Sequence, residues 1–240
     1  MKLALFGSGA MGQLVCSLAR DEGHEIAATF SSRDGARSVG ELAASLSGLD
    51  AAIDFSVAGA VLKNIEACAR ARVPLVEGTT GWSASEAEAH RLVKEHEGAL
   101  IYGANFSIGV NLFYRIVAEA ADLFQNFDDY APFIEEAHHA RKRDAPSGTA
   151  LRLRDLLAQR YERDIPIAST RAGYIPGTHR VGFDAVADQI MLTHTARSRV
   201  GFARGALTAA QWITGRKGVY EFSEVIDEIL ERTIRNDDES

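Results

Sequence analysis

Short apolar runs alternate with helical hydrophobic patterns through the first half of the chain. We predict five strands there, each ending at a turn of small or polar residues: 3–6, 24–30, 51–55, 73–77 and 99–102. Segments between these runs have apolar residues at helical spacing, as in Leu14, Val15, Leu18 and Ala19. Strands that alternate with helices are typical of βαβ units and a parallel sheet.

The pattern changes in the second half. A long amphipathic segment at residues 108–124 is expected to bridge two domains, and residues 133–139 and 149–161 predict a strand and a helix. Residues 165–205 are rich in Gly, Thr and β-branched side chains, which is typical of antiparallel strands. We therefore predict an α/β fold: a Rossmann-like parallel sheet domain plus a second α+β domain with a mostly antiparallel open sheet.

Composition and charge exclude several classes of protein. The 240 residues are 46% hydrophobic and 25% charged, which is ordinary for one large or two modest globular domains. A net charge of −7 argues against a nucleic-acid or anionic-membrane surface, so any anion site must be a local basic pocket. Neither a signal peptide nor an apolar run of roughly 20 residues is present, so we expect a soluble cytoplasmic protein. Cys16 and Cys68 fall in predicted helices and do not indicate a disulfide framework.

A glycine-rich turn follows the first predicted strand and precedes a predicted helix. It consists of Gly7, Ser8, Gly9, Ala10, Met11 and Gly12. This G-x-G-x-x-G pattern in this context predicts a dinucleotide site, in which Gly7 allows the tight turn, Gly9 the approach of the pyrophosphate and Gly12 close helix packing. The alternative, an ordinary turn in a chain with 21 glycines, is disfavoured by the position of the motif.

The end of the second predicted strand bears on the choice of cofactor. An acidic residue here suits the free 2′-hydroxyl of NAD, whereas an arginine suits the 2′-phosphate of NADP. Phe30 is followed by Ser31, Ser32 and Arg33, and the first carboxylate is that of Asp34. We therefore predict NADPH as the preferred cofactor, with NADH as the alternative. Arg33 could instead simply close a turn.

The most distinctive stretch, residues 135–149, reads Glu-Glu-Ala-His-His-Ala-Arg-Lys-Arg-Asp-Ala-Pro-Ser-Gly-Thr. His138 can exchange a proton near neutral pH, and Lys142 supplies a compact positive charge. The Ser-Gly-Thr at the end would begin a helix whose free backbone N–H groups bind a carboxylate. Together these groups indicate a site for a small dianion.

The same stretch also permits a purely structural role or a metal site. A His-His pair is often a hydrogen-bonded structural feature, and a basic run is usually a solvated face. Glu135 and Glu136 beside the histidines also permit a zinc site, since zinc binds imidazole and carboxylate. No second ligand cluster stands out elsewhere in the sequence, so we predict no metal. The basic neighbours should lower the pKa of His138 unless one of these glutamates offsets them.

The stretch closely resembles the signature of dihydrodipicolinate reductases, also called 4-hydroxy-tetrahydrodipicolinate reductases. That signature is Glu-x-His-His-x-x-Lys-x-Asp-Ala-Pro-Ser-Gly-Thr, and it is matched from Glu136 to Thr149. The Asp-Phe-Ser at residues 54–56 and the loops at 78–81 and 104–111 match the same family. The resemblance covers nearly the whole chain.

The resemblance implies two domains with different roles. Residues 1–109 and 200–240 would form the dinucleotide-binding domain, to which predicted helices at 206–214 and 222–233 return. Residues 110–199 would form the substrate-binding and oligomerisation domain. A homotetramer assembled through the sheet of that domain is implied, which would also cover an open strand edge.

The implied reaction is NAD(P)H-dependent reduction of 4-hydroxy-tetrahydrodipicolinate (dihydrodipicolinate), a small dicarboxylate, to tetrahydrodipicolinate in the diaminopimelate and lysine pathway. His138 would donate the proton, and Lys142 would hold a substrate carboxylate and assist that transfer. The residues implied to bind substrate are His139, Ser147, Gly148, Thr149 and Arg199. Those implied to bind the cofactor, besides the glycine turn and residues 31–33, are Phe55, Gly78, Thr79, Thr80, Ala104, Asn105 and Phe106.

Two other functions would share the first domain. A related amino-acid dehydrogenase of Rossmann type would lack the His-His-x-x-Lys and Asp-Ala-Pro-Ser-Gly-Thr motifs. A non-catalytic NADP-sensing protein would keep the glycine turn and lose the proton donor. The presence of His138 and Lys142 disfavours both.

Overall fold

The structure is a computed structural model that describes residues 1–238, with the backbone alone for residues 233–238. The chain divides into two compact units. Unit 1 consists of Met1–Ile108 together with the chain from Arg199 onward, and unit 2 of Gly109–Ser198. The functional roles given to the two domains above stay predictions. Within the described residues, every helix is too short or too polar to cross a membrane.

The secondary structure elements are as follows. The strands are β1 Lys2–Phe6, β2 Glu25–Phe30, β3 Ala51–Asp54, β4 Leu75–Glu77, β5 Ala99–Tyr102, β6 Ala131–His138, β7 Ile167–Arg171, β8 Thr178–Asp184, β9 Gln189–Thr195 and β10 Gly218–Glu221. The helices are α1 Ala10–Asp21, α2 Val39–Leu46, α3 Val61–Ala71, α4 Glu86–Glu95, α5 Ile108–Phe124, α6 Gly148–Ala158, α7 Val200–Ile213 and α8 Phe222–Asp238. A short 3-10 helix, Ser32–Ala36, follows β2.

Unit 1 is built on a parallel six-stranded sheet with the order β10-β5-β4-β3-β1-β2. Its inner strands are continuous apolar runs because both of their faces are covered. One set of alternate residues packs with α2, α3 and α4: Ala4, Phe6, Ala52, Leu75 and Leu100. The residues between them are equally buried: Leu3, Leu5, Ile53, Val76 and Ile101. Helix α7 contacts β3, β4 and β5 and also packs against α1.

The prediction of a Rossmann-like parallel sheet is confirmed, and two details of it were wrong. Strand β10, which pairs with β5, was not predicted, because its four residues are too few to show a hydrophobic pattern. Helix α7 begins at Val200 rather than at residue 206. Gly201 and Gly205 weaken its helical pattern in the sequence, and Gly205 serves close packing in the structure.

Unit 2 contains a four-stranded sheet with the order β7-β6-β8-β9. Strands β6 and β7 are parallel and the other two pairings are antiparallel, so the prediction of a mostly antiparallel sheet is confirmed. Helices α5 and α6 pack on this sheet around one apolar core: Phe113, Val117, Ile134, Leu153, Leu157, Val181 and Phe183. In β6 every second side chain faces this core. The polar Glu136 and His138 therefore lie on the same buried face of the strand as the apolar Ile134.

The packing of α7 can be tested at Gly205. A Cβ atom at this position would lie 1.8 Å from the carbonyl oxygen of Phe106, so it cannot be accommodated without a backbone shift. We expect Gly205→Ala to lower the free energy of unfolding of unit 1 by about 2 kcal/mol or more. Gly40→Ala is the matched control, because a Cβ on this exposed position of α2 meets nothing within 4 Å. It should leave stability unchanged or raise it by up to about 1 kcal/mol. Equal urea denaturation midpoints for the two variants would contradict the described packing.

Candidate active site

The glycine turn of unit 1 lies at the carboxyl end of the parallel sheet. Strand β1 lies between β2 and β3, the place where strand order reverses and open α/β sheets bind ligands. Gly7 has φ +97°, and a Cβ there would meet the carbonyl oxygen of Phe55 at 2.3 Å. A Cβ on Gly12 would meet the carbonyl oxygen of Gly7 at 2.0 Å. By contrast, a Cβ on Gly9, the N-cap of α1, would meet nothing within 4 Å, so this helix end is open to a ligand.

A cavity of about 540 Å³ adjoins this turn, a volume typical of small-molecule sites. Six of the predicted cofactor residues line it: Gly7, Ser8, Gly9, Ser31, Ser32 and Phe55. Asp34, Ser56 and Lys63 line it as well and were not predicted. Arg33, although predicted, is exposed and lies outside the cavity wall. The glycines and hydroxyls of this wall fit the adenosine and pyrophosphate of a dinucleotide.

The remaining predicted cofactor residues lie elsewhere in unit 1. Ala10, Met11 and Gly12 form the first turn of α1, while residues 78–80 follow β4 and residues 104–106 follow β5. Phe106 is buried, and its ring meets that of Phe55 edge-on at 6.3 Å between centroids. These loops end neighbouring parallel strands, so they share one edge of the sheet.

Two buried carboxyl groups hold the loops after β3 and β4, and sequence reasoning had not given them this role. Asp54 accepts from the backbone N of Ser56 at 2.7 Å and from the side chain of Asn64 at 2.7 Å. Glu77 accepts from the backbone N of Thr79 at 2.7 Å. Burial raises the pKa of both carboxyl groups, and for Glu77 the charge of Asp54 adds to the effect. An acidic residue at the end of a fully apolar strand is the sequence signal that could have indicated them.

In unit 2, strand register brings a polar cluster together at the end of β6. The buried face of β6 carries, in order along the strand, Ile134, Glu136 and His138. Ile134 is the most deeply buried of the three, and His138 lies at the end of the strand. His179 of β8 lies opposite Glu136 in the antiparallel pair, and Arg171 of β7 lies beside His138 in the parallel pair. The predicted proton donor is therefore surrounded by side chains from three strands.

Glu136 is the centre of this cluster. Its Oε2 lies 2.5 Å from Nδ1 of His138, a close contact that lacks the angles of a regular hydrogen bond and becomes an ion pair only when His138 is protonated. Its Oε1 accepts from Arg171 at 2.6 Å and from the backbone N of Ser147 at 3.3 Å. Burial opposes ionisation, but hydrogen bonds from Arg171 and Ser169 and nearby positive charge lower the pKa of Glu136 to about 2. Glu136 is therefore a carboxylate at neutral pH.

The pKa of His138 is lowered, as expected, but the larger cause differs from the expected one. Burial of the ring is the main effect, and the positive charges of Lys142 and Arg171 add to it. Glu136 acts in the opposite direction and favours the imidazolium. In the absence of a ligand, the imidazole is thus mostly neutral near pH 7.

The predicted substrate residues are placed as follows. Lys142 lies in the turn after β6, with Nζ 2.9 Å from Oδ2 of Asp144. Ser147 caps α6 by accepting from the backbone N of Ala150, and Gly148 and Thr149 form the first turn of that helix. His139 follows directly after β6 and is half-buried. Arg199 precedes α7 in unit 1, so it does not belong to the unit that contains the other predicted substrate residues.

His179 is a buried histidine that sequence reasoning missed. Its Nε2 lies 3.0 Å from Oγ of Ser147, and its ring packs edge-on against that of His138 at 5.0 Å. Burial, aided by the positive charge of His138, lowers the pKa of His179 to about 4. His179 precedes Val181 by two residues and Phe183 by four, so it shares the buried face of β8 with them. This alternation in the sequence could have indicated that the histidine is buried.

The possible metal ligands in the structure differ from those considered in the sequence, because Glu135 is replaced by His179. Glu135 pairs with Arg180 at 3.3 Å, and Glu136, His138 and His179 have ligand atoms within 4.8 Å of one another. Such a set could coordinate a metal ion. The guanidinium of Arg171 already binds the carboxylate of Glu136, and its positive charge disfavours a second cation there. The Glu136–Arg171 pair therefore argues against a metal ion at this cluster.

Acid should destabilise the folded chain through His179. A histidine whose pKa is lowered by folding stabilises the fold above its unfolded pKa of about 6.5 and loses that contribution as pH falls toward the folded pKa. Between about pH 7 and about pH 5 this amounts to roughly 2 kcal/mol. In His179→Gln, which keeps a hydrogen-bonding side chain that does not titrate, the loss measured by urea denaturation should be smaller by that amount. His90→Gln, at an exposed site on α4, should behave as the wild type. If the free energy of unfolding of His179→Gln fell with pH as steeply as that of the wild type, the lowered pKa of His179 would be contradicted.

Comparison with known proteins gives a consistent result. The chain matches the family models for dihydrodipicolinate reductase, N-terminus, over residues 1–106, and dihydrodipicolinate reductase, C-terminus, over residues 109–226. It is 36% identical over 242 residues to the 4-hydroxy-tetrahydrodipicolinate reductase of Christiangramia forsetii, which covers 96% of this chain and 99% of the relative.

Solved structures show the same fold. The dipicolinate-bound dihydrodipicolinate reductase from Paenisporosarcina sp. TG-14 has a TM-score of 0.77 at 21% identity, over 92% of this chain and 97% of that one. A probable dehydrogenase from Thermotoga maritima has a TM-score of 0.62 at 9% identity, over 94% of this chain and 93% of that one. Because the two family models cover nearly all of the sequence and the curated relative matches it almost end to end, the chain belongs to the dihydrodipicolinate reductase family.

Proposed function

We propose that the chain reduces 4-hydroxy-tetrahydrodipicolinate to tetrahydrodipicolinate with a reduced nicotinamide cofactor, with His138 as proton donor and Lys142 as the cation that binds a substrate carboxylate. The class of enzyme, an oxidoreductase of the diaminopimelate pathway to lysine, follows from membership of the family. The residue roles are supported chiefly by one observation. An ionised, buried Glu136 contacts His138 beside a basic turn and an open helix end.

The end of α6 offers several groups to a dicarboxylate. The first N–H groups of a helix have no partner within the helix, and a Cβ on Gly148 would meet nothing within 4 Å, so the backbone can be approached there. Lys142 supplies a charge that Asp144 balances at present. Oγ of Ser147 already caps the helix and meets His179, so we assign Ser147 a positioning role besides the predicted carboxylate contact.

The proton would come from Nε2 of His138, since Nδ1 faces Glu136. The bound nicotinamide supplies the hydride. Because the pKa of His138 is lowered in the free protein, the imidazole needs a further negative charge to become protonated near neutral pH. A substrate dianion beside Lys142 supplies that charge, and Glu136 stabilises the resulting imidazolium. The proton is thus available chiefly in the substrate complex.

The cofactor is proposed to be NADPH, with NADH as the alternative. The glycine turn and the cavity wall formed by Ser31, Ser32 and Phe55 would bind its adenosine half. On the resemblance to the family, the loops at residues 78–80 and 104–106 would bind its nicotinamide half. A homotetramer remains a prediction of the same resemblance, and a cytoplasmic location remains a prediction from the sequence alone. No observation on the described residues favours either an amino-acid dehydrogenase or an NADP sensor.

The function can be tested directly with purified protein. NADPH should be oxidised when dihydrodipicolinate, generated enzymatically from aspartate semialdehyde and pyruvate, is added. His138→Gln should lower kcat by a factor of about 100 or more, because a general acid contributes 10²–10⁴-fold, and should remove the histidine-like group from the pH profile. No oxidation of either NADPH or NADH would refute the proposed function. Full activity in His138→Gln would refute the proton donor alone.

The role of Lys142 makes a separate prediction. Lys142→Ala should raise KM for the substrate and lower kcat by about tenfold or more, because a charge-assisted contact to a carboxylate is lost. Affinity for NADPH, measured by calorimetry without substrate, should stay unchanged. Lys217→Ala, at an exposed lysine paired with Glu97 in unit 1, is the control and should have no effect. Loss of cofactor affinity in Lys142→Ala would mean that this lysine serves the nucleotide instead.

A further inference from the structure

The wall of the nucleotide cavity of unit 1 contains one basic side chain among the described residues. Lys63, on α3, lines the cavity and donates from Nζ to the carbonyl oxygen of Gly35 at 2.9 Å. That acceptor is neutral and belongs to the turn that follows β2. The charge of Lys63 also helps to lower the pKa of Glu41, whose Oε2 is already taken up by the backbone N and the hydroxyl of Ser38. The ammonium therefore remains available to an anion in the cavity.

The two arginines of the adjoining turn are placed differently. Arg33, the residue predicted from the sequence to select NADPH, is exposed and lies outside the cavity wall. Arg37 donates to the carbonyl oxygen of Glu41 at 3.0 Å and to Oγ of Ser45 at 2.5 Å, and its guanidinium lies over the ring of Phe30. Neither presents its charge to the cavity as Lys63 does.

Asp34 is the competing group, because a carboxylate in this wall would suit the ribose 2′-hydroxyl of NADH. Its Oδ2 accepts from the backbone N of Ser31 at 2.8 Å and from the Ser31 hydroxyl at 3.3 Å. Its Oδ1 lies 3.7 Å from Arg37. The carboxylate thus closes the capping box of the 3-10 helix, and Arg37 offsets its charge. It is less available to a ribose than its position alone suggests.

We propose that Lys63 distinguishes NADPH from NADH by pairing its ammonium with the 2′-phosphate at the end of β2. This inference rests on the proposed use of a nicotinamide cofactor. A phosphate monoester carries a charge of roughly −1.5 to −2 near neutral pH, so its bond to an ammonium is charge-assisted and strong. The hydroxyls of Ser31 and Ser32 lie in the same wall and can add donors. Specificity then comes from α3 rather than from the turn after β2.

The test compares two ligands that differ only by that phosphate. NADPH and NADH are titrated into full-length protein by calorimetry without substrate, so the readout is binding and not turnover. We expect the wild type to bind NADPH about tenfold or more tightly than NADH, and Lys63→Met to bring the ratio of the two Kd values to about 1 while affinity for NADH is kept. Lys63→Arg should keep the selectivity. Lys94→Met, the same change at an exposed lysine on α4, is the matched control.

Two results would overturn the inference. One is an unchanged ratio in Lys63→Met, above all if Arg33→Met abolishes it, since Arg33 would then be the selective residue. The other is equal affinity of the wild type for NADPH and NADH. Oxidation of the cofactor on addition of substrate is measured on the same preparation. If the protein is active, either result overturns only the role of Lys63, whereas an inactive protein would refute the proposed function. Activity together with an unchanged ratio in Lys63→Met refutes the role of Lys63 alone.

Discussion

A buried, ionised carboxylate determines the arrangement of the site in unit 2. An unpaired charge inside a sheet-and-helix layer is strongly unfavourable, so Glu136 requires partners on several sides. Arg171, the backbone N of Ser147 and Nδ1 of His138 provide them, from β7, from the cap of α6 and from the end of β6. Arg171 also donates to the carbonyl oxygen of Asp144 at 2.6 Å, which connects the turn carrying Lys142 to the same carboxylate. Satisfying one buried charge therefore also fixes the residues proposed to bind and protonate the substrate.

Unit 1 positions its loops with buried carboxyl groups too, but through a different balance of forces. Asp54 and Glu77 each accept from a backbone N two residues further on, at the points where β3 and β4 end. No cation accompanies them among their described contacts, and burial raises the pKa of both. A shared proton can take the place of the missing cation. These groups can thus hold two neighbouring loops without adding full negative charge beneath a site for an anionic cofactor.

Local patterns in the sequence predicted the parts of the molecule that depend on local physics. The alternation of apolar runs with helical patterns gave the parallel sheet, and the glycine turn has the close contacts at Gly7 and Gly12 that its spacing predicts. Strand register could not be predicted, and register alone brings His179 and Arg171 to Glu136 from 43 and 35 positions away along the chain. At the cavity of unit 1, Arg33 was predicted from its place directly after β2, but it is Lys63, 30 positions further along the chain on α3, that lines the wall. The sequence does not show that this lysine of an amphipathic helix faces the nucleotide cavity.

The charges around His138 explain why proton donation should depend on the substrate. Arg171 and Lys142 balance Glu136 and Asp144 in the free protein, and burial keeps the imidazole neutral. The charges of the free site are balanced, so a bound substrate dianion that pairs with Lys142 gives the site an excess of negative charge. Protonation of His138 offsets part of that charge, with Glu136 already placed at Nδ1 to stabilise the imidazolium. The same event that binds the substrate therefore makes the acid form of the donor favourable, whereas a permanently protonated histidine would have to persist beside two cations.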